Sequence, residues 1–595
     1  MFKYLISLNI LFTILAVSAS PSVEYRISIE QPVHHLATVE VDFPEHKTDT
    51  LVVQLPAWRS GRYEILDLAN GIRDFSVSAK RGKVVKWEFL DKSSWKIKTD
   101  GQAVTVSYQV YANQLGYRSR HIDDTHAFLD ASGVFIYSQE LRNLPVTVEL
   151  SVPKKWRSRS GMESTGRHEF KAANYDVLVD SPIETGLHTF YEFSVDDRDY
   201  ELLFWGKGNY DAKQIESDLI KLDKEVKNIW GSFPYSRYVY MVHATSGARG
   251  ATEHLNSTVI QRHRDAFKKR DDYLEFISTA AHELIHTWNV KAYRPKALTP
   301  YDYQQESYTP LLWVAEGSTS YYDNLIVRRA GISTQKEHHE QLQKSIEALL
   351  NRPGREIQSV SDSSLYKWIE GTNDFTINHG VNIYAKGSLV SWWLDFEIRR
   401  VTNNQKSYDN VHRLLYEKYN AIDNGFTDQD LLALVNQVTE QDFTQFWKDY
   451  VWGTKAIPFE KMLTFVGLEL VRKNIDEQAI DLGISFNDDL EITRVKRNGP
   501  AWKAGITTDD RLVAIGGMRV TSKNLKDKIK SLKSGQSISV HVFRRDELTS
   551  IEVQAKPNPD KDLIIKVVDN PTAAQQQHYL SWTGHPLKDV EQSKD

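Results

Sequence analysis

The chain of 595 residues contains no cysteine. That excludes disulfides, and it excludes lipid attachment at a cysteine following a leader sequence. Positive charge is in slight deficit, with a formal net charge of −5. Nothing in that balance suggests nucleic acid, which favours a basic surface. Past the first twenty residues no stretch is long and apolar enough to span a bilayer.

What remains is ample material for ordinary globular domains. With 41% hydrophobic and 26% charged residues, the chain can build roughly three or four domains with sizeable cores and no covalent staples. Residues 1–19 carry Lys3, an apolar run over 5–17, and the small-residue end Val17-Ser18-Ala19 before Ser20-Pro21. That pattern is a secretory signal peptide cleaved after Ala19. The run is too short for a membrane anchor and contains Ser7 and Asn9. Export without cysteine favours a bacterial periplasm, with full secretion as the alternative.

The strongest chemical signal is ISTAAHELIHTWNV at 277–290. On an α-helix His282 and His286 lie one turn apart on one face, so both imidazoles can reach one metal ion. Ile277, Ala281, Leu284 and Trp288 recur at helical spacing, as a core-packed helix requires. HExxH is the zinc-peptidase pattern, with Glu283 handling the water proton. The plain alternative is two surface histidines on an amphipathic helix. A catalytic zinc takes a third protein ligand. The segment 311–329, LLWVAEGSTSYYDNLIVRR, is again apolar at helical spacing. Glu316 suits the third ligand, and Asp323 returns to the same face seven residues later. There Asp323 can orient a ligand histidine through its other ring nitrogen. A solvated acidic face is the alternative for both.

HELIHTWNVKAYRP followed by LWVAEGSTSYYD resembles the glycyl aminopeptidase family of gluzincin zinc metallopeptidases. LPAWRSGRYEILDLANGI at 55–72, DDTHAFLDASGVFIY at 123–137, GARGATEHLNST at 247–258 and YAKGSLV at 384–390 match in the same order. So do 352–370 and 446–470, and the resemblance covers nearly the whole chain after the leader. It implies a multidomain α+β protein: an N-terminal β-sandwich-like domain, a thermolysin-like α/β and helical catalytic domain, and a C-terminal PDZ domain. It implies one Zn2+ per chain, Glu253 as the carboxylate that binds a substrate's free α-amino group, Tyr384 as the phenol at the oxyanion, and small first residues, Gly or Ala. Ala251-Thr252 stand where Gly-Leu is expected, Ala292 replaces a usual arginine, and Ile383 replaces an aromatic. The first pair touches substrate preference.

Taken in order, residues 20–195 alternate or run apolar over short lengths between turns, which predicts the N-terminal β domain. No metal-ligand constellation is visible in it. Residues 196–468 form the catalytic domain. Its Gly-rich turn at Gly250 lets backbone approach a ligand closely, and a carboxylate such as Glu253 accepts charge-assisted bonds from an ammonium. A helix is expected over 388–400. Residues 469–557 read as a PDZ-like domain whose Leu482-Gly483-Ile484 loop would capture a peptide C-terminus through its backbone N–H groups. Residues 558–595 read as a C-terminal tail, loosely held from Pro571 onward.

Three functions compete. The first is a zinc aminopeptidase acting on peptides with a free N-terminus. The second is an endopeptidase of the same chemistry, which follows if Glu253 does not face the metal. The third is a PDZ-type peptide-binding or chaperone-like protein with a vestigial site.

Overall fold

A computed structural model describes residues 20–116, 118–371, 373–472 and 480–588. The expected signal peptide lies outside the described residues. Among them no helix is long and apolar enough to cross a membrane.

The N-terminal domain is built on an eight-stranded sheet. Val23–Ser28, Leu36–Phe43 and Val104–Tyr111 lie at its centre, with Val146–Ser151 running parallel to the first. Val39, Val41, Val106 and Val110 point from alternate positions into one core and are fully buried, as period-two patterning demands. A three-stranded sheet of Thr50–Gln54, Ser94–Lys98 and Trp87–Asp91 belongs to the same domain. A four-stranded sheet ending in His126–Leu129 and Arg120–Ile122 carries it toward the catalytic domain.

The catalytic domain begins earlier than the patterning suggested. Thr189–Val195 pairs antiparallel with Arg198–Trp205, so it is the outer strand of the catalytic sheet and not the last strand of the β domain. Alternating strands look alike in sequence whichever sheet they join. The sheet continues with Arg237–Ala244, Ser257–Arg262 and, on the far edge, Gly250–Glu253. Helix α1 (Ala212–Trp230) lies between Arg198–Trp205 and Arg237–Ala244, and helices α2 (Arg270–His286), α3 (Thr319–Arg329), α4 (Gln335–Leu350) and α5 (Ile383–Val401) follow the last strand. Strand Arg237–Ala244 presents Tyr238, Tyr240 and Val242 to the cluster that includes Ile277, Ala281 and Leu284 of α2. Its alternate residues Val239 and Met241 meet Phe128 of the N-terminal domain. The catalytic sheet is thus covered on both faces.

The C-terminal tail departs most from expectation. Ile564–Val567 returns to pair antiparallel with Leu468–Val471. Helix α6 (Ala573–Thr583) then buries Tyr579 and Trp582 completely in the catalytic core. The Trp582 indole stacks on Trp392 of α5 and donates its N–H to the Tyr321 hydroxyl at 3.0 Å. The expected loose tail is therefore wrong for 571–588. Its polar run Gln575–Gln577 hid a helix anchored by only two large aromatic side chains. The PDZ-like domain, with its own core around Leu482, Ile492, Leu512 and Val540, is consequently an insertion between two paired strands. Asn378 fastens it: its Nδ2 donates to the Val495 carbonyl at 2.8 Å and its Oδ1 accepts the Arg497 N–H at 2.7 Å.

Trp582→Ala should cost about 3–5 kcal/mol, the scale for truncating a buried tryptophan, and lower the thermal midpoint of the catalytic domain. Replacing 472–562 by a short turn should leave that transition in place, because Val471 and Ile564 are already cross-strand partners. Thermal unfolding of both variants checks the pair; equal melting of Trp582→Ala and wild type would contradict the anchoring role.

Candidate active site

Helix α2 ends at His286, short of Trp288, which the helical spacing had included. The chain then winds through wide turns, with the Lys291 and Ala292 N–H groups donated to the His286 and Thr287 carbonyls. This brings the Asn289 carbonyl back to His286 Nδ1 at 2.7 Å and carries Lys291 inward. Glu316 lies in a π-helical turn, Trp313–Ser318, ahead of α3. Such a turn holds one more residue than an α-turn and is common at functional sites. It fits here because Gly317 touches Gly387 of α5: a Cβ on Gly317 would lie 2.5 Å from the Gly387 Cα.

The three predicted donors converge. His282 Nε2 and His286 Nε2 are 3.0 Å apart. Glu316 Oε2 lies 3.4 Å from His286 Nε2 and 3.8 Å from His282 Nε2. The remaining atoms of all three are engaged elsewhere. His282 Nδ1 meets Asp323 Oδ2 at 3.0 Å, His286 Nδ1 meets the Asn289 carbonyl, and Glu316 Oε1 accepts the Tyr63 hydroxyl at 2.8 Å. Two imidazole nitrogens and one carboxylate oxygen aimed at one point form the ligand set of a catalytic zinc, with a position left open. The residues fit the metal.

Glu283 projects beside this set. It is buried, and its Oε2 has no hydrogen-bond partner. Burial pushes its carboxyl up to about 7, with the two imidazoles pulling the other way and the Glu253 and Glu316 charges adding to the rise. Tyr384 stands in the first turn of α5, whose N-terminus is capped by Asn382 Oδ1 accepting the Tyr384 and Ala385 N–H groups. That helix starts five residues before the predicted one. The Tyr384 and His282 rings are 6.2 Å apart. Gly250 opens the edge strand with φ 144 and lines, with His282, Glu283, Asp323 and Tyr384, a cavity of about 420 Å³.

Glu253 ends that strand, 4% exposed, with Oε1 lacking a hydrogen-bond partner. Burial alone would raise its carboxyl, but Lys291 and His286 hold it below the ordinary value. Lys291 is itself buried, donating to Asp180 Oδ1 at 2.6 Å and Ser60 Oγ at 2.9 Å. Gly61, with φ 82, lies so close to Glu253 that a Cβ would strike its carboxylate. The sequence reading passed over Gly61, Tyr63, Asp180 and Lys291. All but Asp180 lie in quoted family segments, yet no spacing links residues more than a hundred positions apart.

Two expectations change. The N-terminal domain does contribute metal-type clusters: His121, Asp123 and His126, and His126, Glu184 and His243 of the catalytic sheet. His121, Asp123 and His126 lie within six residues of one hairpin, while Glu184 and His243 sit on other strands that only folding brings to His126. The ring nitrogens of His126 and His243 are engaged in one chain: His126 meets His121 at 2.9 Å and Glu184 at 2.8 Å, and His243 meets Glu184 at 3.0 Å and Gln261 at 3.1 Å. This is a hydrogen-bonded seam between domains. The PDZ loop also differs from expectation. Gly483 donates its N–H to Asp481 Oδ1 at 2.9 Å, Leu482 is fully buried, and Ile484 pairs with Val495. The glycine donor expected to face a peptide carboxylate already has one from its own chain.

The fold and donor set define a metallopeptidase of the HExxH type. Family comparison makes this particular. Residues 24–187 match the peptidase M61 N-terminal domain, 275–390 the M61 glycyl aminopeptidase, and 480–555 a PDZ domain. The chain carries both domains of that family and is a metallo-aminopeptidase, with zinc implied by the family. It is similar to an aminopeptidase N family protein from Idiomarina loihiensis, 26% identical, covering 94% of this chain and 100% of that one at a TM-score of 0.87. An M1 zinc metallopeptidase from Deinococcus radiodurans is 12% identical over 74% of this chain and 95% of that one, at a TM-score of 0.48 too low to carry weight. No curated protein matches the chain.

Asp323→Ala should weaken zinc retention about 10–100-fold, the usual effect of removing a carboxylate that orients a ligand histidine. Competition with a chelator measures it, and wild-type retention would remove Asp323 from the site.

Proposed function

We propose that the protein is a zinc aminopeptidase that removes N-terminal residues, small ones (Gly or Ala) by preference, from peptides. The observation that carries the reading is Glu253: a buried, charged carboxylate with an unsatisfied oxygen beside the three donors. An ammonium supplies what that oxygen lacks, a charge-assisted hydrogen bond. The preference for small residues rests on the family resemblance alone.

His282, His286 and Glu316 would hold the ion, one per chain. Zinc bound there would supply a Lewis acid for a scissile carbonyl and for a water. Glu283 takes the proton of the attacking water at its unpartnered Oε2 and delivers it to the leaving amine. A carboxyl that titrates near neutrality is suited to both transfers. Tyr384 donates its hydroxyl hydrogen to the developing oxyanion, a role in which a preorganised donor contributes strongly. Glu253 accepts hydrogen bonds from the substrate ammonium and so sets the distance from N-terminus to cleaved bond. An intact donor set with Glu283 speaks against a vestigial site.

Glu283→Gln should keep one zinc per chain by elemental analysis while kcat falls at least ~10²-fold, the scale of general acid–base catalysis. Near-normal turnover would assign the proton transfer to another group.

Glu253→Ala separates aminopeptidase from endopeptidase. The ammonium–carboxylate pair is worth roughly 1.5–3 kcal/mol, or about 10–150-fold in kcat/KM. The variant should lose that factor on free-amine peptides and little on N-acetylated ones, which the wild type cleaves poorly. Wild-type enzyme that cuts blocked and free peptides equally would make the protein an endopeptidase.

A further inference from the structure

We propose that Tyr63, supplied by the N-terminal β domain, is a positioning residue that restricts Glu316 to binding the metal through one oxygen. This inference rests on the reading of His282, His286 and Glu316 as the metal ligands.

A carboxylate ligand can engage a cation through one oxygen or both. For a hydrolytic zinc the difference matters, since catalysis needs a position free for water or the substrate carbonyl. Here the two oxygens of Glu316 are unlike. Oε2 faces the imidazoles, at 3.4 and 3.8 Å from their Nε2 atoms. Oε1 accepts the Tyr63 hydroxyl at 2.8 Å, in a buried setting. A neutral phenol orients the carboxylate without cancelling its charge, which a lysine or arginine in its place would do.

Tyr63 is held firmly enough for that task. It is 6% exposed, and its ring meets the edge of Trp368 at 6.1 Å. Trp368 in turn packs against Trp58 at 5.1 Å. The loop bearing Tyr63 is seated in the catalytic domain at successive points. Trp58 donates its indole N–H to the Asp302 carbonyl at 2.6 Å, Ser60 accepts from Lys291, and Gly61 lies against Glu253. One loop of the β domain therefore reaches both the metal carboxylate and the carboxylate assigned to the ammonium. Docking of the β domain completes the catalytic centre in addition to walling its cleft.

The test uses the full chain with Tyr63→Phe, loaded with zinc or cobalt(II). Removing the hydroxyl frees Oε1 to join Oε2 on the metal. The visible absorption of the cobalt form should weaken, as it does when coordination number rises. The rate of metal loss to a chelator should change about 10–100-fold, the range typical of groups that orient a ligand. On free-amine peptides kcat should fall while KM moves little. Ser60→Ala, which loosens the same loop without touching Glu316, should keep the wild-type cobalt spectrum. A wild-type spectrum and chelator rate in Tyr63→Phe would overturn the proposal, and so would equal changes in both variants. If Tyr63→Phe does not fold, fluorotyrosine incorporated at position 63 preserves the packing and strengthens the donor. A cobalt spectrum unmoved by the fluorine then overturns the proposal. The spectral and chelator measurements need no substrate, so they stay readable if the aminopeptidase reading fails.

Discussion

Three side chains aim one atom each at a common point because the other atom of each is already bound. Asp323 occupies His282 Nδ1, the Asn289 carbonyl occupies His286 Nδ1, and Tyr63 occupies Glu316 Oε1. This constraint fixes ring orientation and tautomer, and it recruits three separate parts of the fold. Asp323 comes from α3, Asn289 from the wide turns after α2, and Tyr63 from another domain. The contact of Gly317 with Gly387 permits the arrangement by letting the π-turn lie directly on α5. Side chains at either position would push Glu316 and Tyr384 apart.

The same crowding creates an electrostatic problem, with Glu253, Glu283, Glu316 and Asp323 sharing one small volume. Their environments push them in different directions. Glu283 is buried without a hydrogen bond at Oε2 and rises to about 7. Glu253 is just as buried but is held charged by Lys291 and His286. Glu316 is held low despite burial by the two imidazoles that its Oε2 faces. Unlike environments around like groups are what divide acid–base work among carboxylates.

The C-terminal part of the chain is organised around that core and not appended to it. A strand and a helix return after the PDZ-like domain; Trp582 packs on Trp392 and Phe396 of α5, and Tyr579 on His339 of α4. The insertion therefore starts and ends at one hairpin, with Asn378 bonding its backbone on both sides. Asn378 lies four residues before Asn382, the cap of the helix that carries Tyr384. The PDZ-like domain and Tyr384 thus share one short stretch of backbone.

The amino-acid sequence by itself determined the elements whose signal is local. The i, i+4 histidines with Glu283, the seven-residue step from Glu316 to Asp323, and the period-two strands of the β domain could be read directly, because helical and pleated geometry convert spacing into shared faces. The family resemblance added Glu253 and Tyr384, which no spacing singles out among 28 tyrosines. Only tertiary structure decided the rest. The strand Thr189–Val195 could have served either sheet, since both demand the same alternation. Helix α6 read as a tail because two buried aromatics are too few to mark a face. Tyr63 and Gly61 meet Glu316 and Glu253 across some two hundred residues of chain, and contacts of that reach leave no periodicity to find. They exist because two hydrophobic cores dock, and the loop between them has a single place to go.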